Sequence, residues 1–130
     1  MPVFARPATW AYDLELFRAA VVDEDELEAL MAAIARDDQQ LLVAESDERP
    51  TAFAWLSIDG EALEVHRFHV DNGADSEPLA RCLLERIAAD HGGTMRPLVL
   101  SSKGMSGIEA DALRRLGFVR DDSCWYKTFE

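Results

Sequence analysis

Basic side chains, cysteines and long apolar runs are all scarce in this sequence, and each shortage excludes a class of function. Lysine and arginine together number 13, against 25 aspartates and glutamates, which gives a formal net charge of −12. Sequence-independent nucleic-acid binding needs a basic footprint, so we expect no nucleic-acid partner. No apolar run approaches the roughly 18 residues that a membrane span requires, so we expect no membrane association.

The two cysteines, Cys82 and Cys124, do not stand in a metal-binding or redox spacing. We interpret both as small hydrophobic side chains with free thiols. The first residues show neither the apolar core of a signal peptide nor the arginine and serine bias of a transit peptide, which predicts a cytoplasmic location.

Negative charge is concentrated in the first half of the chain. Residues 1–65 hold 4 basic and 15 acidic side chains, whereas residues 66–130 hold 9 and 10. Such a distribution is compatible with a cationic small molecule or a basic protein surface as partner. The run Asp23 to Glu26 has a second interpretation, because acidic residues in a first helical turn complement the helix dipole and face solvent.

The length of 130 residues and the hydrophobic fraction of 48% predict one domain over residues 1–130. Apolar periodicity predicts strands over 3–8, 41–45, 51–58, 61–70, 97–101, 118–120 and 124–129. It predicts helices over 13–20, from 23 onward, over 76–91 and over 108–116. Antiparallel strands followed by a βαβ crossover form an α/β (α+β) domain with a mixed, mainly antiparallel sheet and helices on both faces.

Local signals refine three boundaries. Asp59-Gly60 predicts a tight hairpin in which glycine takes a positive φ. Ser76 is the predicted N-cap of the third helix, with Glu77 and Pro78 in its first turn. The segment from Gly104 to Gly107 is predicted as loop.

Five short strings occur in a distinctive order along the chain: Arg6-Pro7-Ala8-Thr9, Leu42-Val43-Ala44-Glu45, Phe53-Ala54-Trp55-Leu56, Glu64 to Val70 and Leu116-Gly117-Phe118. Their order and spacing resemble the GNAT superfamily of acyl-CoA-dependent N-acetyltransferases over nearly the whole chain. The resemblance implies a fold whose fourth and fifth strands splay into a cleft. It also implies acetyl-CoA as acyl donor and, in many members, a homodimer.

In the family, the loop before the third helix carries Arg or Gln, two residues, Gly, one residue, then Gly or Ala, and its amides bind the coenzyme A pyrophosphate. Here the matching positions run from Asp75 to Ala80, and only Ala80 conforms. Asp75 and Glu77 carry charges that repel phosphate, and Pro78 has no N–H to donate. Only Ser76 and Ala80 remain to contribute contacts to the cofactor. The sequence therefore predicts that this loop does not hold acetyl-CoA in the ordinary way.

The resemblance also assigns positions along the fourth strand and the last helix. The pantetheine arm of the cofactor would run beside Phe68, His69 and Val70. Glu64 matches a general base in some members, although a glutamate paired with a cation across the strands is the alternative interpretation. The usual acid, a tyrosine, is replaced by Leu113, so that Tyr126 could serve only if the terminal hairpin brings it close.

Further positions bear on a catalytic, metal or ligand site. An Asn of the family motif appears as Gly107, and Ala110 is kept. His66 and His69, three apart on a strand, should point to opposite faces and cannot share a metal, so no metal site is expected. Arg67 with His69 could bind an acidic ligand.

Three aromatic residues, Trp10, Tyr12 and Phe17, should lie near the cleft wall as core or lid side chains. The leading functional hypothesis is a non-catalytic or strongly divergent binding or regulatory domain, because the cofactor loop is degenerate. The alternatives are an active N-acetyltransferase that moves an acetyl group to an amine with Glu64 as base, a regulatory sensor of acetyl-CoA, and a structural, dimer-forming protein.

Overall fold

One mixed sheet organises the part of the chain that the computed structural model describes, residues 3–9, 11–71, 75–94 and 96–129. Its eight strands are β1 (Val3–Pro7), β2 (Gln39–Ser46), β3 (Arg49–Ser57), β4 (Leu63–Val70), β5 (Leu98–Ser101), β6 (Met105–Ser106), β7 (Val119–Asp121) and β8 (Cys124–Lys127). They lie in the order β1-β2-β3-β4-β5-β8-β7, with β6 beside β4. Only the pairings of β4 with β5 and β6 are parallel, so the predicted mixed, mainly antiparallel sheet is confirmed.

Helices cover both faces of this sheet, as predicted. They are α1 (Leu14–Ala20), α2 (Glu24–Ala33), α3 (Ser76–His91) and α4 (Ala110–Arg115). The apolar stripes of α3 and α4 pack on one face, and those of α1 and α2 pack on the other. Strand alternation supplies both cores, because Leu42 and Ala44 face α3 while Leu41 and Val43 face α1 and α2. Among the described helices, none combines the length and apolarity needed to cross a bilayer.

The two connections at the ends of β3 differ in length. Asp47 and Glu48 join β2 to β3 with φ values of 55° and 63°, the conformation of a two-residue type I′ turn. The predicted tight turn at Asp59-Gly60 is wrong. Residues 58–62 form a longer connection to β4, and Gly60 does not take a positive φ.

A buried ion network ties the first strand to the first helix. The Arg6 guanidinium donates to both carboxylate oxygens of Asp13, at 2.9 and 2.7 Å, and also to Glu45 on β2. Asp13 is completely buried and accepts a further bond from the Thr9 amide at 2.8 Å. Hydrogen bonding to Asp13 raises the pKa of Arg6 above its ordinary value, so the guanidinium stays charged.

A β-bulge at His66 changes which face each side chain of β4 presents. Trp55 pairs with Arg67 and Leu56 pairs with Val65, so His66 is an extra residue. The His66 ring lies 4.9 Å from that of Trp55, on the α1/α2 side of the sheet. His69 follows three positions later and also faces that side, with Phe53. The prediction that the two histidines point to opposite faces is therefore wrong.

Candidate functional site

A groove of about 420 Å³ opens on the α1/α2 side of the sheet, where α2 ends its cover and β4, β5 and β8 are bare. Its ionisable lining is Glu26 from α2, Glu64, His66 and Arg67 from β4, Lys103 after β5, and Cys124 from β8. A cleft of this size with convergent polar groups is typical of a small-molecule site.

Glu64 is an exposed side chain of this groove. Its neighbours across the sheet are Ser57 on β3 and Val99 on β5, neither of which is charged. Within the described residues Glu64 makes no ion pair, so the alternative interpretation of a cation-paired sheet glutamate is wrong. The carboxylate is therefore available to a ligand.

Tyr126 lies in the same row of the sheet as Glu64. Glu64 opposes Val99 on β5, and Val99 opposes Tyr126 on β8, so the three side chains share one face. Two strand spacings separate Glu64 from Tyr126, which is about 10 Å. The neighbouring Cys124 raises the pKa of the Tyr126 phenol, with burial and Asp121 adding to the shift, so the phenol stays protonated at neutral pH.

The Glu26–Arg67 pair closes one end of the groove. Arg67 donates to the two oxygens of Glu26 at 2.6 and 2.9 Å, joining α2 to β4. Hydrogen bonding from Arg67 lowers the pKa of Glu26. The two residues are 41 positions apart in sequence, so no local spacing could have identified the contact.

The segment 104–107, which we call the strap, lies against β4 where an open cleft was expected. β5 pairs with β4 from Leu63–Leu98 to Val65–Leu100. A short 3₁₀ turn, Ser102–Gly104, then carries the chain back, and β6 pairs in parallel with β4 at Phe68 and His69. The prediction that 104–107 is loop is therefore wrong. A two-residue strand has too few residues for a periodic signal.

Two glycines allow the strap to lie this close to β4. A Cβ on Gly104 would lie 2.5 Å from the carbonyl oxygen of His66. Gly107 takes φ +80°, and a Cβ there would overlap the carbonyl oxygen of Val70. Only residues without a side chain fit at such an approach of two backbones.

His69 fastens the strap to the end of β4. Its ring nitrogen Nε2 donates to Asp71 Oδ1 at 2.9 Å, which leaves Nδ1 to accept from the Ser106 hydroxyl at 2.6 Å. The ring is 7% exposed. The structure thus gives His69 internal partners, as it gives Arg67 its partner Glu26, in place of the acidic ligand considered for these two residues. Ser106 and Asp71 were missed because the bulge and the strap create their contacts.

The start of α3 differs in two respects from the sequence prediction. Asp75, not Ser76, is the N-cap, and its side chain makes no capping hydrogen bond. Glu77 accepts from Arg115 at 2.5 Å and from Arg81 at 3.2 Å, and Arg115 is the main cause of its lowered pKa. Two arginines thus offset the charge that Glu77 was expected to direct at phosphate.

The missing amide of Pro78, in the first turn, remains a defect of that anion site. The side chains at the other expected cofactor positions are mostly buried, since Phe68, Val70 and Ala80 are at most 1% exposed. Only the backbone of these three residues could contact a ligand. Ser76 is half-buried at the first position of α3.

Phe17 and Tyr12, two of the three aromatic residues expected at the cleft wall, do not lie together there. Phe17 is fully buried and packs edge-on against Phe53 at 5.2 Å. Tyr12 is 63% exposed, with the Arg6 guanidinium 5.3 Å from its ring centre. Trp10 lies outside the described residues. Across residues 3–9, 11–71, 75–94 and 96–129, no three His, Cys, Asp or Glu side chains converge as metal ligands would.

Solved structures similar to this chain are acetyltransferases. The PaiA N-acetyltransferase of Thermoplasma acidophilum, in complex with coenzyme A, is 19% identical, with a TM-score of 0.68 over 99% of this chain and 100% of its own. The ribosomal-protein-S18-alanine N-acetyltransferase of Escherichia coli is 13% identical, with a TM-score of 0.70 over 99% and 95%. A GNAT family acetyltransferase of Elizabethkingia anophelis, with acetyl-CoA bound, is 13% identical, with a TM-score of 0.64 over 98% and 97%. Neither a family model nor a curated protein matches the sequence.

Proposed function

The chain has the fold of the GNAT acetyltransferases, and from this premise we propose that it is a binding or regulatory form of that fold which does not carry out ordinary acetyl transfer. The observation that carries the proposal is the pairing of the strap with β4 at Phe68 and His69. Those are the positions beside which the resemblance puts the pantetheine arm of an acyl-CoA.

The strap and a pantetheine chain would compete for the same backbone groups. Each amide and carbonyl on the edge of β4 that pairs with β6 is already used, and leaving such a group unpaired is costly. Residues 104–107 also occupy the volume beside β4, because Gly104 and Gly107 contact its backbone. While the strap is paired, the described residues of this edge do not fit the cofactor.

The entrance of α3 adds a second reason. Pro78 supplies no amide, and an aspartate, Asp75, stands at the N-cap where the family has Arg or Gln. A charge-assisted hydrogen bond is worth about 1.5–3 kcal/mol, so the loss of two corresponds to roughly 10²–10⁴ in affinity. The ion pairs of Glu77 reduce its repulsion of phosphate, but they do not replace the amide donor that Pro78 lacks.

Calorimetric titration of the purified protein with acetyl-CoA and with free coenzyme A tests the proposal. We expect no binding in the micromolar range. Micromolar binding of either compound would overturn the proposal. In that case Glu64→Gln distinguishes an enzyme, which loses turnover and keeps binding, from a sensor, which has no turnover to lose.

We also propose a cationic ligand or a basic protein surface as partner of the acidic first half. The N-terminal turn of α2 exposes Glu24 and Asp25, whereas Asp23 caps the helix through the Asp25 amide at 2.8 Å. The informative variant therefore neutralises Glu24, Asp25 and Glu28 and keeps Asp23. If the proteins retained by the wild type and by this variant are the same, the acidic-surface idea is wrong. The predicted homodimer is tested in the same preparation by sedimentation.

An active N-acetyltransferase is the second candidate, and the shared row of Glu64 and Tyr126 favours it. Glu64 would take a proton from an acceptor amine in the groove, and the protonated Tyr126 phenol would supply one to a leaving group. This candidate requires the strap to leave β4. Release of free thiol from acetyl-CoA in the presence of amines, abolished by Glu64→Gln, would establish it.

A further inference from the structure

The groove between β4 and β5 differs in charge from the molecule around it. Its lining contains two acidic side chains, Glu26 and Glu64, and two basic ones, Arg67 and Lys103. The groove is therefore close to neutral in a chain of net charge −12. A polycation drawn by the overall charge finds no surplus of negative charge inside it.

The four charges divide into one satisfied pair and one available pair. Glu26 and Arg67 bind one another through two hydrogen bonds, which uses both carboxylate oxygens. Within the described residues, neither Glu64 nor Lys103 has an ion-pair partner, and both line the groove. One anion and one cation are thus left for a ligand.

The available charges are set apart along the strands. Val99 opposes Glu64, and Lys103 comes after two further strand positions and two 3₁₀ positions. At about 3.3 Å per strand residue and about 2.0 Å per 3₁₀ residue, the backbone path from Val99 to Lys103 is at most about 11 Å. The packing of Gly104 against the His66 carbonyl and the Arg67 backbone holds Lys103 at the far end.

The middle of the groove offers one apolar side chain, Val99, which lies in the same row as Glu64. Val65 contributes only backbone, because its side chain packs in the core on the other face of the sheet, and the exposed His66 ring also lines the groove. Methylene groups can pack there, while charged groups would lose hydration without a partner. The Ser101 hydroxyl is the polar group nearest the Lys103 end, where it accepts from the Lys103 amide at 3.3 Å.

We infer that this groove binds a small zwitterion, an aliphatic chain with an ammonium group at the Glu64 end and a carboxylate at the Lys103 end. The inference rests on the proposed function of the groove as a binding site and specifies its ligand class. It restricts the cationic partner considered above to the exposed acidic turn of α2, outside the groove.

Three four-carbon ligands that differ only in their end groups test the inference. They are γ-aminobutyrate, putrescine and succinate, which carry one charge of each sign, two positive charges and two negative charges. Each is titrated into the isotopically labelled protein at neutral pH and low salt, and amide shifts of β4 and β5 are followed. We expect γ-aminobutyrate to bind at least about tenfold more tightly than either of the others, since each mismatched end loses a charge-assisted hydrogen bond.

Two single variants should change this preference in opposite directions. Lys103→Met removes the cation, so the advantage of γ-aminobutyrate over putrescine should vanish. Glu64→Gln removes the anion, so its advantage over succinate should vanish. Both residues are exposed, so neither change threatens the fold. Glu61→Gln, an equally exposed change before β4 that does not line the groove, is the matched control and should leave all three affinities as they are.

Two results would overturn the inference: putrescine or succinate binding as tightly as γ-aminobutyrate, or no saturable shift of groove amides with any of the three. A titration with coenzyme A on the same sample keeps the two proposals distinguishable. Micromolar coenzyme A binding together with selective γ-aminobutyrate binding would overturn the proposed function and leave the ligand class standing. If neither coenzyme A nor γ-aminobutyrate binds, the ligand class is overturned and the proposed function stands.

Discussion

The two halves of the sheet have opposite characters on their α1/α2 face. Over β2 and β3 this face is apolar and covered, with Leu41, Val43 and Phe53 at most 4% exposed. Over the start of β4 and over β5 and β8 the same face is open and carries Glu64 and Tyr126, whereas His69 at the end of β4 is buried. The helices α1 and α2 pack on the side chains of β2 and β3 and leave the rest of the face open. Polar side chains occur where they keep their hydration, and those are the ones available for chemistry.

Charged residues follow the same division. In the covered half, Arg6, Asp13 and Glu45 satisfy one another and leave nothing for a ligand. In the bare half, Glu64 and Lys103 face open space. In the covered half, loss of one partner would leave a buried charge uncompensated, whereas the charges beside the groove are exposed and keep their hydration without a partner.

The largest effect is expected from removing the centre of the covered network. Arg6→Ala leaves two buried carboxylates, Asp13 and Glu45, without their cation, which should lower the free energy of unfolding by about 3–5 kcal/mol. Urea denaturation measures it. Arg36→Ala is the matched control, because the Arg36–Asp38 pair is exposed and its loss should change stability far less. Equal losses in the two variants would contradict the contrast between buried and exposed pairs.

Substitution in the strap should come next in size. Gly107→Ala adds a Cβ at φ +80° that overlaps the Val70 carbonyl, so we expect a loss of about 1–3 kcal/mol and faster amide exchange in β6. Gly93→Ala, which meets nothing within 4 Å, should change stability by at most about 0.5 kcal/mol. Unchanged exchange in β6 would mean that the strap does not depend on this close approach.

A smaller effect is expected at the boundary of the two halves. Glu26→Gln weakens the bidentate contact with Arg67 and should cost about 1 kcal/mol at neutral pH, since both side chains are partly exposed. Arg67 lowers the pKa of Glu26, so this stability is present above the ordinary carboxyl pKa. It should disappear as the pH falls through the lowered value. Stability curves that remain parallel from neutral pH into the acid range below the pKa of Glu26 would contradict this.

The smallest effect concerns the end of α3. Burial lowers the pKa of His91, whose ring donates to Gln40 at 2.8 Å. The neutral ring is favoured in the folded state, so its contribution is complete above the ordinary histidine pKa near 6.5 and is lost as the pH falls below it. His91→Gln should remove this pH-dependent change in the free energy of unfolding, which amounts to less than about 1 kcal/mol because the ring is only partly buried. An unchanged slope in mildly acidic urea titrations would refute the assignment.

Several features of the fold could be predicted because their signals are local. The stripes of α2 and α3 recur at helical spacing, and the predicted helix over 76–91 matches α3. The order of strands and helices predicts a sheet covered on both faces, as observed, and the short apolar runs of β2 and β3 suit strands buried on both sides. Apolar periodicity is written into neighbouring residues, so it can be seen before the chain is folded.

Glu64 and Tyr126 could be identified as candidates from the sequence, but it could not be predicted that they lie in the same row of the sheet. Strand register decides that row, and register depends on pairings between residues distant in the chain. The compensation of Glu77 by Arg115 is of the same kind, since 38 positions separate the two residues.

The sequence by itself determined the order of the elements other than β6, the helical stripes and the loss of the Pro78 amide, since each depends on adjacent residues. Only the tertiary structure decided the bulge at His66, the pairing of the strap with β4, and the placing of Glu64 and Lys103 at opposite ends of one groove. The physical reason is that these features arise from contacts between distant strands, whose geometry is set by the packing of the whole sheet.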